Sequence, residues 1–194
     1  MWIEIRRKLF HLTGLIYVIG LVYIPRTMYI CLLTLLVAFI FTAEQTRLRI
    51  PAVGWWFEQH AGGLFRDNER HRMSGIFWMA DGIWITVVLL KAVPLATAAL
   101  LYLLLGDAIV SLAGKRLHGP LWPRSKKSIS GSGACFLMCL FIGVSLLRPQ
   151  YYGWGGIVAG ALVATVVEAV PMFHLNDNLT IPVAAALTFL VCYR

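Results

Sequence analysis

Acidic residues set in apolar stretches are the first feature of this sequence that could do chemistry. Asp81, Asp107, Glu168 and Asp177 each fall within or beside such a stretch. A carboxylate is costly to hold in hydrocarbon, so one retained there is a functional candidate by default. Two basic, glycine-bearing runs accompany them: Gly114-Lys115-Arg116, and Ser125-Lys126-Lys127-Ser128-Ile129-Ser130-Gly131-Ser132-Gly133, which leads straight into an apolar run. The start of a helix offers free backbone N–H groups and a positive dipole end, both suited to an anion. Hydroxyls supply caps and donors, and glycines let the backbone approach closely. Lysines beside such a nest have the charge to hold a polyphosphate. Carboxylates facing the phosphates suit magnesium, which prefers one or two carboxylates plus phosphate oxygens and water. Familiar alternatives are missing. Lys115 is followed by Arg116 and no glycine stands five residues before Gly114, so there is no Walker A loop. Gly131 and Gly133 are not followed by the third glycine of a dinucleotide fingerprint, and His60, His71, His118 and His174 lack the spacing of zinc ligands.

The elements that must position these residues are membrane helices. Of the 194 residues, 59% are hydrophobic and only 13% charged, with a mean hydropathy of +0.76. A soluble domain keeps roughly 25% charged residues. Apolar segments run over 9–24, 28–43, 73–90, 93–113, 132–147, 154–170 and 179–193. Some fall short of the ~20 residues that a straight span needs, and flanking aromatics or snorkelling Arg and Lys must complete them. The pattern predicts an all-α polytopic transmembrane bundle of about seven helices. It forms a single domain, 1–194, with cytoplasmic loops 44–72 and 114–131. The first segment ends in Tyr23-Ile24-Pro25-Arg26 rather than in small residues suited to cleavage, so it reads as a helix and not as a secretory signal.

Charge sets the orientation. Thirteen of the seventeen Lys and Arg fall on one side of this topology, and Arg26, Lys91, Arg148 and Arg194 fall on the other. The positive-inside rule makes the amino terminus and the two basic loops cytoplasmic. The net charge of +8 is thereby a matter of topology and anionic ligands, and nucleic acid is not an expected partner. Cys31, Cys135, Cys139 and Cys192 all fall in apolar runs and read as packing residues. Trp55-Trp56-Phe57 beside Glu58, Gln59 and His60 reads as an interfacial helix. On this topology Asp107 lies roughly 10 Å from the inner end of its helix. Glu168 closes the sixth helix and Asp177-Asn178 opens the seventh, all at one membrane face. Asp81 points toward the same cavity as a secondary candidate.

At this point the residues resemble a known family. Gly106-Asp107-Ala108, Ser111, Gly114-Lys115, Gly119, Ser125-Lys126-Lys127-Ser128 and Gly131-Ser132 look like the central signature of the dolichol kinase, phytol kinase and CTP-dependent diacylglycerol kinase family. CDP-diacylglycerol synthases carry a related block. Glu4-Ile5-Arg6-Arg7-Lys8-Leu9-Phe10-His11 resembles the family's amino-terminal element, and Glu168-Ala169, Asp177-Asn178 and Pro182 resemble its carboxy-terminal one. Ser130 departs from the pattern, standing where an acidic residue is common.

The resemblance implies transfer of the terminal phosphate of CTP to a lipid alcohol with a divalent metal, Mg2+. It implies Asp107, Glu168 and Asp177 as catalytic residues, and the same three with Asn178 as metal ligands. Lys115, Lys126, Lys127, Ser128, Gly131 and Ser132 become the nucleotide site. Arg7, Lys8 and His11 are secondary candidates from the amino-terminal element, with Arg7 and His11 sharing a helix face. The acceptor stays open among a polyprenol, a phytol-like alcohol and diacylglycerol. A bacterial inner membrane and an endoplasmic reticulum membrane both fit, and an oligomer is possible. Two other readings are carried: a cytidylyltransferase that forms a CDP-lipid, and a non-enzymatic membrane transporter or lipid-binding protein.

Overall fold

The structure, a computed structural model, describes residues 11–61, 69, 71–117, 119–122, 127–170 and 175–193. Helices dominate them: α1 (Leu15–Tyr23), α2 (Arg26–Arg49), α3 (Pro51–Ala61), α4 (Gly75–Leu89), α5 (Val93–Leu101), a π-helical turn (Tyr102–Gly106), α6 (Asp107–Leu117), α7 (Ile129–Leu147), the single turn α8 (Pro149–Tyr152), α9 (Trp154–Ala169) and α10 (Asp177–Cys192). The chain is an all-α polytopic bundle. Among the described residues, Arg26–Arg49, Val93–Gly114 and Ile129–Leu147 are long and apolar enough to cross a membrane, and Gly75–Leu89, Trp154–Ala169 and Asp177–Cys192 are apolar but shorter.

Local chemistry sets the boundaries. Ile24 and Ile50 are both extended and each precedes a proline, Pro25 and Pro51, which disfavours the helical region for the residue before it. Pro51 then opens α3, where its missing N–H costs nothing. Arg26, at the start of α2, donates from Nη1 to Leu90 O and from Nη2 to Val87 O, both at 2.7 Å. It thereby caps the carbonyls that α4 leaves without helical partners.

Two boundaries differ from the sequence expectation. The second helix runs on to Arg49, six residues past its expected end at Ala43, before Pro51–Ala61 forms the helix expected around Trp55-Trp56-Phe57. Its apolar stretch stops at Glu44, but Glu44 and Arg47 pair at 2.7 Å, which removes the charge penalty and lets the helix continue. The fifth expected helix starts at Ile129, three residues early, because Ser128 is its N-cap and accepts from Gly131 N at 3.0 Å.

The rod from α5 through α6 is the centre of the bundle. Its apolar window is 65% buried, against 17% for α2, which faces outward. Around the rod, α7 packs on α6 and α9, α9 on α10, and α10 on α4. Glycines let these helices approach. A Cβ at Gly106 would meet the sulfurs of Cys139 and Cys135 at 3.2 and 3.3 Å. At Gly131 it would meet Ser128 Oγ at 2.9 Å and Val110 O at 3.1 Å.

Candidate functional site

The alternating helices bring the end of α2, the start of α4, the start of α7, the end of α9 and the start of α10 to one end of the bundle. There the segment before α7 is held as a small hairpin. Leu121 and Ser128 form an antiparallel bridge, Trp122 N donates to Lys127 O at 2.9 Å, and Ile129 N donates to Pro120 O at 2.8 Å. The indole of Trp122 adds a hydrogen bond to Ser132 Oγ at 2.9 Å.

This hairpin delivers Lys127 to the carboxylates. Its Nζ lies 2.8 Å from Glu168 Oε1 and 2.8 Å from Asp177 Oδ2, and it also donates to the main-chain carbonyl of Glu168. One ammonium thus ties the end of α9 to the start of α10. Glu168 is buried, its side chain 1% exposed, and its second oxygen, Oε2, has no hydrogen-bond partner among the described residues. Burial alone would lower the Lys127 ammonium. The charges of Asp177 and then Glu168, with hydrogen bonds to both, outweigh it and hold the lysine above its ordinary range.

Asp107 opens α6 directly after the π-helical turn, a feature often found at functional sites. Its Oδ2 is 4.0 Å from His11 Nε2, and the same ring nitrogen lies 3.4 Å from Leu103 O. Its charge reaches both Glu168 and Cys135. The structure therefore gathers Asp107, His11, Lys127, Glu168 and Asp177 at one end.

Other expected site residues have local duties. Asn176 caps α10 by accepting from Asn178 N at 3.0 Å, and the Asn178 amide donates to Gly75 O at 2.9 Å, tying α10 to α4. Ser128 Oγ is engaged as the α7 cap, Ser132 Oγ accepts from Trp122, and Gly131 is a packing position. The Ile129 and Gly131 amides of the expected anion nest are thus taken by protein acceptors. Asp81 is half-buried on α4. Lys115 falls on α6. Arg7, Lys8 and Lys126 lie outside the described residues.

A second buried polar cluster supports this end. Arg47 donates from Nη2 to Glu44 Oε2 at 2.7 Å, to Arg72 O at 2.7 Å and to Glu69 O at 3.2 Å. Glu44 Oε2 in turn accepts from Ser74 N at 3.1 Å, and Ser74 caps α4. Sequence reading misses this cluster because Arg47 and Arg72 pass for topology charges. The i,i+3 spacing of Glu44 and Arg47 is the available signal.

The fold and site together define a polytopic helical membrane protein with a lysine–carboxylate centre at one end. No family model matches the chain, and no solved structure matches it. Relatives do. The chain is 27% identical to an uncharacterised protein of Rickettsia prowazekii over 95% of its own length and 92% of that protein's. It is 29% identical to CTP-dependent diacylglycerol kinase 1 of Schizosaccharomyces pombe, over 75% of this chain and 72% of the relative. It is 27% identical to a probable chloroplastic phytol kinase of Triticum aestivum, and spans 45% of that protein's length. The chain is therefore similar, over most of its length, to the kinases of membrane lipid alcohols.

Proposed function

We propose that this protein transfers the terminal phosphate of CTP to the hydroxyl of a membrane lipid alcohol, a polyprenol, a phytol-like alcohol or diacylglycerol, at the cytoplasmic boundary of its membrane. The named relatives support a phosphotransferase acting on an alcohol, with CTP as donor. The observation that carries the reading is the meeting of Lys127 with Glu168 and Asp177. Phosphoryl transfer needs in-line positioning and charge neutralisation more than covalent help from the protein. A lysine and several carboxylates drawn from separate helices supply those needs at one point.

The donor set suits a hard divalent cation. Glu168 and Asp177 offer carboxylate oxygens, and the orphaned Glu168 Oε2 is a buried oxygen in want of a positive partner. Among the described residues no three His, Cys, Asp or Glu side chains form a metal cage of their own. Magnesium takes much of its coordination from substrate phosphates and water. Glu168 and Asp177 would hold the ion, with Asp107 and Asn178 within the same group, and the bound ion supplies charge neutralisation on the phosphates.

The chain's own residues do the rest. Lys127 and Lys126 hold phosphate oxygens as the transferred group becomes planar. Asp177, with 27% of its side chain open against 1% for Glu168, accepts the proton of the acceptor hydroxyl. The new bond joins the lipid oxygen to phosphorus, and CDP leaves. Purified protein given CTP and a panel of lipid alcohols should convert at least one to its monophosphate with release of CDP. Release of pyrophosphate instead would establish the cytidylyltransferase, and no turnover with any alcohol in the panel would return the chain to a transport or lipid-binding role.

A further inference from the structure

Lys127 sits among oxygens in the way a bound cation does. Glu168 Oε1 and Asp177 Oδ2 each lie 2.8 Å from its ammonium, and the Glu168 carbonyl is a third acceptor. Two carboxylates face this one ammonium, and Asp107 adds a further negative charge within electrostatic reach of Glu168. The lysine thus meets two carboxylates with a single positive charge. A separate observation points the same way. Glu168 is 1% exposed, yet Oε2 of the carboxylate that holds Lys127 has no hydrogen-bond partner among the described residues. A buried carboxylate oxygen left so is costly unless a second cation or donor reaches it.

Building on the kinase reading, we propose that Lys127 is a tethered cation: in the resting protein its ammonium holds the place between Glu168 and Asp177 that a divalent metal takes during turnover. The lysine has somewhere to go. It ends a short hairpin, its side chain is 24% exposed, and the phosphates of an arriving nucleotide are better partners for it than carboxylates already satisfied by a metal. Metal alone would have to displace the lysine into water. Metal arriving with nucleotide gives the lysine a new anion, so the two ligands bind cooperatively. Lys127 thereby holds the two carboxylates together between turnovers, and makes metal capture depend on the nucleotide.

Binding of Mn2+ to the purified full chain in detergent, without nucleotide or lipid, tests this. Free Mn2+ is read by its paramagnetic resonance signal. Wild type should bind weakly, and Lys127→Met should gain a site about tenfold tighter or more. Adding Glu168→Gln to Lys127→Met should abolish that gain. No gained site, or one that survives Glu168→Gln, overturns the proposal. Should Lys127→Met not fold, wild type decides the matter through acetylation of Lys127 by an N-hydroxysuccinimide ester. Millimolar Mn2+ should speed it relative to potassium at equal ionic strength, and an unchanged rate overturns the proposal. Neither measurement contains CTP or an alcohol, so failure here leaves the kinase assay to stand or fall separately.

Discussion

Lys127 and Asp177 are fifty residues apart in sequence, and their side chains meet at 2.8 Å. The contact joins the loop before α7 to the first turn of α10, and through Glu168 it also takes in the last turn of α9. Three helix ends are thus pinned by one ammonium. Such a buried pair is a poor source of net stability, but breaking it by removing one partner leaves a charge stranded.

Lys127→Met should therefore destabilise the protein by about 3–5 kcal/mol, because Glu168 remains buried without its cation. Lys127→Met with Glu168→Gln should recover much of that loss. Thermal unfolding in detergent, followed by intrinsic fluorescence, compares the two. Equal stability of the single and double variants would remove Lys127 as the counter-ion of Glu168.

Asp107 stands 4.0 Å from His11, with a third of its side chain open at 33%. That open part of the carboxylate can meet a ligand, and asparagine keeps its shape while removing its charge. Asp107→Asn should lower turnover by about 100-fold or more while leaving folded yield unchanged. Turnover rates and size-exclusion profiles check both halves of this expectation.

The first turn of α10 is placed by a proline and a glycine. Pro182 has no N–H to donate to Asn178 O, and that carbonyl faces Gly82 of α4. A Cβ at Gly82 would stand 2.6 Å from Asn178 O and 3.0 Å from Leu179 Cα, both backbone atoms that cannot swing aside. Gly82→Ala should cost about 1–3 kcal/mol and, by shifting Asp177, reduce turnover. A Cβ added at Gly133, on α7, would meet nothing within 4 Å. Gly133→Ala should be neutral or stabilise by up to about 1 kcal/mol. The pair of unfolding curves separates steric contact from helix propensity.

Arg47 spreads one guanidinium over Glu44 Oε2, Glu69 O and Arg72 O. All three bonds leave Nη2, and a lysine ammonium on its unbranched stem does not reproduce the position of that nitrogen. Arg47→Lys should loosen the segment before α4 and cost about 1–3 kcal/mol. Faster amide exchange over 71–77, with exchange in α9 unchanged, is the expected signature. Uniform protection would show that the guanidinium is dispensable.

Much of this was legible in the sequence. The apolar runs gave the helices, and the carboxylates beside them gave Asp107, Glu168 and Asp177. What was hidden depended on pairing. Glu44 ends an apolar run but not a helix, since Arg47 one turn on neutralises it. Ser128 reads equally as a phosphate donor and as a cap, and only the 3.0 Å contact from Gly131 N shows the cap. Lys127 looks like a phosphate-binding lysine from its neighbours, because partners forty-one and fifty residues away leave no local trace.

The most direct test uses CTP labelled in separate preparations at its terminal and its first phosphate, with purified protein and a lipid alcohol. Terminal label should appear in the lipid, first-phosphate label should stay with CDP, and Asp107→Asn should stop the transfer. First-phosphate label entering the lipid, or neither label leaving the nucleotide with any alcohol supplied, would contradict the kinase assignment.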